Sequence, residues 1–180
     1  SFTRPVKHAS DFGNYPTPAG LADLVVKAAK IREGLSVLEP SAGEGNLARR
    51  AAAAGGVVDA YEIHDGRASV LASAGLCRRV YRADFLEMTP VRSYDRVVMN
   101  PPFADGADVR HVMHAEKFME KYGSRLVAIV SAGALSRSDA ASAEFQRWLR
   151  ELGLESFVIK THFEGEGAEE AAEPAPAEDD

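Results

Sequence analysis

Short apolar segments alternate with helical segments along most of this 180-residue chain, and this alternation restricts the possible folds more than any other feature. The predicted strands are residues 35–40, 57–63, 78–83, 95–100, 125–131 and 154–160. The predicted helices are residues 18–31, 46–54, 66–74, 109–122 and 139–152. Strands that alternate with helices form βαβ units, because parallel neighbours need a crossover connection. We therefore expect a doubly wound, mostly parallel α/β sheet with helices on both faces.

Charge divides the chain at residue 164. Residues 164–180 hold eight acidic and no basic side chains, so the net charge of -6 leaves residues 1–163 at +2. The tail has no aromatic or large aliphatic side chain, and such a segment cannot bury enough apolar surface to fold. We expect one domain at 1–163 and a disordered acidic tail at 164–180. The tail is interpreted as solubilising, and the alternative is that it mimics nucleic acid over a binding groove.

Composition indicates the compartment and the partners. No apolar run approaches the roughly 20 residues that span a bilayer, and no secretory signal opens the chain. The only cysteine is Cys77, which rules out an internal disulfide. We expect a cytoplasmic protein with no membrane partner. Five arginines would bind a polyanion if the fold clustered them. They are Arg49, Arg50, Arg78, Arg79 and Arg82.

Acidic residues and a glycine turn follow the first three predicted strands. The first strand leads into EPSAGEGN (39–46), where Gly43 and Gly45 let the backbone approach a ligand. The charge of Glu39 would repel a phosphate, so it favours a ligand with an amine or hydroxyls. The alternative is that the two glycines only form a tight turn between a strand and a helix and bind no ligand. Glu62, about 20 residues further on, can accept from ribose hydroxyls. Asp84 can accept from an adenine amino group or can be a helix N-cap. Together these residues predict a pocket for an adenosine without phosphates.

The segment VVMNPPF (97–103) predicts a rigid turn at a strand end. An amine on adenine or cytosine is a poor nucleophile, because its lone pair is delocalised into the ring. The Asn100 side-chain oxygen and the Pro101 carbonyl would accept hydrogen bonds from that amine, with Pro102 stiffening the turn. Phe103 would stack on a flipped base. No general base is needed, since the proton can leave after methyl transfer.

In this order the motifs resemble those of S-adenosylmethionine-dependent amino-methyltransferases, specifically the DNA adenine-N6 type of bacteria and phages. The resemblance covers roughly residues 10–160 and implies a Rossmann-like class I methyltransferase fold, S-adenosylmethionine as cofactor, DNA as substrate and no metal. The implied catalytic residues are Asn100, Pro101, Pro102 and Phe103. The implied cofactor-binding residues are Tyr15, Thr17, Pro18, Glu39, Pro40, Ser41, Ala42, Gly43, Gly45, Asn46, Glu62, Asp84, Phe85 and Asn100.

The segment YPTPAGLADLVVKAA (15–29) resembles a motif that precedes the cofactor loop in this family. This resemblance implies that Tyr15, Thr17 and Pro18 lie beside the methionine end of the cofactor. It also puts Glu39 near the cofactor amino group and Phe85 against the adenine ring. The helix after the turn carries His111 and His114, to which no chemistry is assigned.

Two departures from this family leave alternatives open. The last antiparallel strand is missing or very short, and no stretch is long enough for a target-recognition domain. Specificity is therefore low, or a partner subunit or the rest of a larger protein supplies it. Phe103 favours adenine in DNA, or an adenine or guanine amine in RNA, over cytosine N4 or a protein glutamine. A non-catalytic cofactor-binding or scaffold subunit is the remaining alternative.

Overall fold

A computed structural model describes residues 16–152, and in this range five parallel strands form one sheet in the order β3-β2-β1-β4-β5. The strands are β1 (Ser36–Glu39), β2 (Val57–Tyr61), β3 (Arg79–Tyr81), β4 (Arg96–Met99) and β5 (Arg125–Ala128). The helices are α1 (Ala19–Ala29), α2 (Asn46–Ala53), α3 (Asp65–Ser73), α4 (Ala107–Ala115) and α5 (Ala140–Leu152). The predicted doubly wound fold is confirmed. The strand order reverses between β1 and β4, so a crevice is expected at their carboxyl ends.

Apolar side chains cover both faces of this sheet. Successive residues of a strand point to opposite faces, so Val97 packs in one buried cluster and Val98 in the other. The first cluster contains the apolar residues of α1 and α2, and the second contains those of α4 and α5. Burial on both faces is the reason that the strands read as continuous apolar runs.

One predicted helix is wrong in its bounds. The helix expected at 109–122 begins earlier, at Ala107, and ends at Ala115, after which Glu116–Phe118 forms a 3₁₀ turn. The chain leaves the helix there to pair with the segment before β4: the Tyr94 N–H donates to the Phe118 carbonyl at 2.8 Å, and Glu120 donates to the Tyr94 carbonyl at 2.9 Å. Strand-like pairing, rather than a glycine, ends this helix.

The five arginines lie on α2 and at the two ends of β3. Arg50 pairs with Asp23, and Arg78 donates to both oxygens of the buried Asp59 at 3.0 and 2.8 Å. Two of the five are therefore paired with carboxylates, Arg50 at the surface and Arg78 against a buried one.

Several predictions concern residues outside 16–152. They are the strand at 154–160 with the missing antiparallel strand, the end of the domain at residue 163, the acidic tail and the role of Tyr15. Among the helices of the described range, none is long and apolar enough to cross a membrane.

Candidate active site

A groove lies at the carboxyl ends of β1 and β4, where the strand order reverses. Its walls come from the segment before α1, the turn after β1, the start of α3 and the end of β4. The lining residues are Pro16, Thr17, Ser41, Ala42, Gly43, Glu44, Asn46, Arg67 and Asn100. The groove therefore brings together the predicted cofactor turn and the first residue of the predicted amine clamp.

The turn after β1 is fixed by backbone contacts to the neighbouring strand. Ala42 N–H donates to the Tyr61 carbonyl at 3.0 Å, and Gly43 N–H donates to Glu62 Oε2 at 2.7 Å. Gly45 has φ +81°, and a Cβ there would approach Leu71 Cδ1 to 2.6 Å. The dihedral angle therefore favours glycine at position 45, and a Cβ there would also force the Leu71 side chain to shift.

The Glu62 carboxylate organises one wall of the groove. It is buried and accepts from two backbone N–H groups, those of Gly43 at 2.7 Å and His64 at 2.8 Å. The Arg67 guanidinium lies 3.6 Å from Glu62 Oε1. An ionised carboxylate has about four lone-pair positions, so Glu62 can accept further hydrogen bonds in addition to those from the two backbone N–H groups.

Glu39 and its neighbour Ser41 carry polar atoms without partners. Glu39 is 2% exposed and lies under the turn, where it accepts from the backbone of Ala48 in α2. Burial raises the pKa of Glu39 well above its ordinary value, and the charge of Glu62 raises it further. Within residues 16–152 the buried Glu39 Oε2 and Ser41 Oγ have no hydrogen-bond partner. Of these two residues, Ser41 lines the groove and Glu39 does not.

The Asn100 side chain is tied to the other wall through Thr17. Its Nδ2 donates to Thr17 Oγ1 at 3.0 Å, and Asn46 Nδ2 donates to the Thr17 carbonyl at 3.0 Å. Thr17 is buried, so these bonds are shielded from water. With its nitrogen committed to Thr17, the Asn100 amide offers its oxygen as an acceptor.

The prolines lead into an exposed aromatic ring and a strained turn. Pro101 is buried, Pro102 is half-buried, and Phe103 is 39% exposed, although it is a large apolar side chain. Asp105 and Gly106 then both have positive φ, +54° and +70°. Such a conformation is costly for Asp105, and Arg110 Nη1 stabilises it by donating to its carbonyl at 2.6 Å. The turn therefore holds Phe103 toward solvent next to Asn100.

The two residues expected at the adenine ring lie in different surroundings. Asp84 caps a 3₁₀ turn by accepting from the Leu86 N–H at 3.0 Å. Phe85 is buried in the second apolar cluster, where its ring centroid lies 4.9 Å from that of His114. His111 is also buried there, and burial lowers its pKa. Phe85 is therefore part of the core, and neither it nor Asp84 is among the residues that line the groove.

Sequence reasoning missed three residues of this edge of the sheet. Arg67 and Pro16 line the groove, and no motif singled them out. Asp108 is fully buried and accepts from the Ser131 N–H at 2.8 Å, which joins the start of α4 to the end of β5. An acidic residue in the first turn of a helix is too common to be recognised as a tether in sequence.

No protein-family model matches the chain. No curated protein matches it in sequence. Solved structures do match its fold, and three of them carry informative names. A protein named as the modification subunit of a type I restriction enzyme from Vibrio vulnificus YJ016 is 19% identical, with a TM-score of 0.63 over 78% of this chain and 39% of its own.

Two further structures match in the same way. A protein from Listeria monocytogenes named as a class I S-adenosylmethionine-dependent methyltransferase is 18% identical, with a TM-score of 0.61 over 75% of this chain and 51% of its own. A protein from Pyrococcus horikoshii named as an RNA methyltransferase is 23% identical, with a TM-score of 0.54 over 74% of this chain and 63% of its own. The chain thus spans less than two thirds of each of the three, and it has the Rossmann-like fold of class I methyltransferases.

Proposed function

We propose that this chain binds S-adenosylmethionine in the groove and transfers its methyl group to the N6 amine of adenine in DNA. One observation carries the proposal: the Asn100 amide lies at the end of β4 on the groove that the cofactor turn lines, and Thr17 holds it there. An acceptor fixed beside a methyl-donor site is what an amine substrate requires.

The groove fits the cofactor in its polar groups. S-adenosylmethionine supplies an activated methyl group when bound, and it also carries an amine, a carboxylate and ribose hydroxyls. Ser41 lines the groove, and its Oγ has no hydrogen-bond partner within residues 16–152. The Glu62 carboxylate, bonded to Gly43 of the groove, has capacity to accept further hydrogen bonds. The turn from Pro40 to Asn46 brings backbone close to the ligand. Thr17, Pro18 and Tyr15 would border the methionine end, and Asp84 would accept from the adenine amine.

Glu39 takes a different role in this proposal from the one that the family resemblance implied. Its carboxyl group is buried under the turn and does not line the groove, and burial raises its pKa well above the ordinary value. Glu39 instead supports the turn that holds the cofactor, through its contact with Ala48.

The clamp acts on the target amine. Asn100 Oδ1 accepts from one N–H of the amine and the Pro101 carbonyl accepts from the other, which directs the nitrogen lone pair toward the groove. Phe103 stacks on the flipped base, which is worth about 1–3 kcal/mol. Exposure of Phe103 in the unliganded chain supports this role, because an apolar ring on a rigid turn gains most by being covered.

DNA is the substrate that this proposal favours, in a cytoplasmic setting and with target recognition supplied by a partner subunit or by the rest of a larger protein. The likeness in fold to a restriction-enzyme modification subunit supports DNA. The likeness to a structure named as an RNA methyltransferase keeps RNA as an alternative outcome of the test.

The test is transfer of labelled methyl from S-adenosylmethionine to unmethylated DNA, RNA and a protein extract in parallel, with digested products identified by mass spectrometry. We expect N6-methyladenine in DNA. The control is Asn100→Ala, which should abolish transfer and leave cofactor binding nearly intact. Label only in RNA or protein would keep the chemistry and refute the DNA substrate.

Binding is measured separately by thermal unfolding. S-adenosylmethionine should raise the melting temperature, since a ligand of the folded state stabilises it by about 2.7 kcal/mol at 100 times Kd. No shift at saturating cofactor would refute the groove as its site. Binding without transfer to any substrate, by the wild-type chain and Asn100→Ala alike, would favour the non-catalytic alternative.

A further inference from the structure

Three arginines meet at the amino-terminal edge of the sheet, opposite the groove. Arg96 of β4 and Arg125 of β5 are direct cross-strand neighbours in the parallel register. Arg32 lies in the turn that leads into β1, which pairs with β4. Burial lowers the pKa of Arg96, the positive charges of Arg125 and Arg32 lower it further, and the charge of Asp95 opposes them. Like charges placed opposite each other on neighbouring strands destabilise a sheet, so this arrangement needs a compensating partner.

Within residues 16–152, one carboxylate partly offsets the charge of this cluster: the charge of Asp95 raises the pKa of Arg96. None of the three arginines forms an ion pair with any of residues 16–152. The Asp95 carboxylate is shared, because Asp95 Oδ2 also accepts from both the N–H and the hydroxyl of Ser36 at 2.8 Å each. These bonds lower the pKa of Asp95. The cluster thus has an excess of positive charge.

Arg96 is unusual because it is also buried. It is 8% exposed, and within residues 16–152 its Nε is buried without a hydrogen-bond partner. Guanidinium groups are rarely buried unless they are paired, and an unsatisfied buried donor costs about 1–3 kcal/mol. This is a second observation, independent of the clustering: within residues 16–152 the Arg96 guanidinium lacks a full set of hydrogen-bond partners.

Two of the guanidinium groups are already oriented by backbone carbonyls. Arg96 Nη1 donates to the carbonyls of Asp95 at 2.7 Å and Gly123 at 3.1 Å. Arg125 Nη1 donates to the carbonyl of Ala28, near the end of α1, at 3.0 Å. Each guanidinium uses one nitrogen in these contacts, and its other nitrogens can donate to a ligand. A guanidinium that is already held in place loses less conformational entropy when it binds an oxyanion.

We propose that Arg32, Arg96 and Arg125 form a binding site for a phosphate group. Several guanidinium forks suit the oxygens of a phosphate, and a phosphate carries enough negative charge to offset the excess. The phosphate is either free or part of a nucleic-acid backbone. This site lies away from the groove and does not depend on methyl transfer.

The test uses inorganic phosphate as the probe, at constant ionic strength with chloride as the replaced anion, and follows the melting temperature of the full chain. Phosphate should raise the melting temperature of the wild-type chain. Arg125→Gln and Arg32→Gln should each weaken the apparent affinity about tenfold, because each removes a charge-assisted contact. Both positions are exposed, so these variants should fold. The matched control is Arg147→Gln on α5, which should respond as the wild-type chain does.

Binding of a single-stranded oligonucleotide at several salt concentrations distinguishes the two sources. If the phosphate belongs to nucleic acid, Arg125→Gln should reduce the slope of log affinity against log salt by about 0.7. If the slope is unchanged while inorganic phosphate still protects the wild-type chain, the ligand is free phosphate. Phosphate that protects no better than chloride, or that protects Arg125→Gln as well as the wild-type chain, would overturn the site.

Discussion

Replacing Thr17 by valine tests whether the orientation of the Asn100 amide matters for catalysis. Valine keeps the shape of the side chain and removes Oγ1, the acceptor that lies 3.0 Å from Asn100 Nδ2. The other bond of Thr17, from Asn46 Nδ2 to its backbone carbonyl at 3.0 Å, does not involve the side chain and should persist. The substitution therefore frees the clamp while leaving the wall of the groove in place.

The magnitude follows from this one hydrogen bond. A neutral intramolecular hydrogen bond contributes about 1 kcal/mol net, and losing it would reduce the fraction of correctly oriented amide about fivefold. We expect kcat to fall about five- to tenfold and the cofactor Kd to change less than twofold. The melting temperature should fall by about 2–4 °C, as expected for this loss in a chain of this size.

The assay combines single-turnover methyl transfer with equilibrium binding of S-adenosylmethionine. Thr17→Ser, which keeps the hydroxyl, is the matched control and should transfer methyl at close to the wild-type rate. An unchanged kcat in Thr17→Val would show that Thr17 does not orient Asn100. A Thr17→Ser variant as slow as Thr17→Val would show that the methyl group, not the hydroxyl, is what matters.

Three more predictions concern the turn, the stacking ring and pH. Gly45→Ala should lower the free energy of unfolding by about 2–4 kcal/mol in urea titrations, because of backbone strain and the close approach to Leu71. The control is Gly66→Ala, which should be neutral or stabilising because Gly66 is in helix α3 with open space around it. Equal effects of the two substitutions would refute the packing argument. Phe103→Ala should reduce kcat/KM at least fivefold, as stacking of about 1–3 kcal/mol implies, and it should lower the melting temperature by no more than about 1 °C. A large loss of stability would show instead that the ring has a structural role. Burial lowers the pKa of His111 below 6.5, so the stability that neutral His111 contributes is complete above pH 6.5 and is lost as pH falls toward the pKa of the folded state. The urea midpoint of His111→Gln should therefore fall less between pH 7 and pH 5 than the midpoint of the wild-type chain. Parallel plots of urea midpoint against pH for the two proteins would contradict this.

The sequence predicted the sheet well, and it predicted the position of the turns that line the groove. Periodicity and glycine punctuation are local signals, and they gave the strands and helices because tertiary contacts did not override them. The glycine turn and Asn100 were placed at one edge because the carboxyl ends of parallel strands share that edge.

The remaining features depend on contacts between distant residues. Phe85 is the first residue of the 3₁₀ turn that Asp84 caps, and although the sequence offered this cap as an alternative, it did not indicate that the ring packs in the core. The end of α4 at Ala115 depends on pairing with Tyr94 across the sheet. The link from Thr17 to Asn100 is equally nonlocal, and nothing in the sequence around Thr17 indicates it.

That link has a consequence for how the molecule folds. Thr17 bonds Asn46 and Asn100, which are 29 and 83 positions further along the chain. Closing so large a loop costs entropy before any contact compensates for it, so contacts of this kind tend to form late. The unit from β1 to β3 can form from local crossovers without them. Binding of the cofactor would therefore indicate that the segment around Thr17 has packed against the end of β4, and not only that strands β1 to β3 have formed.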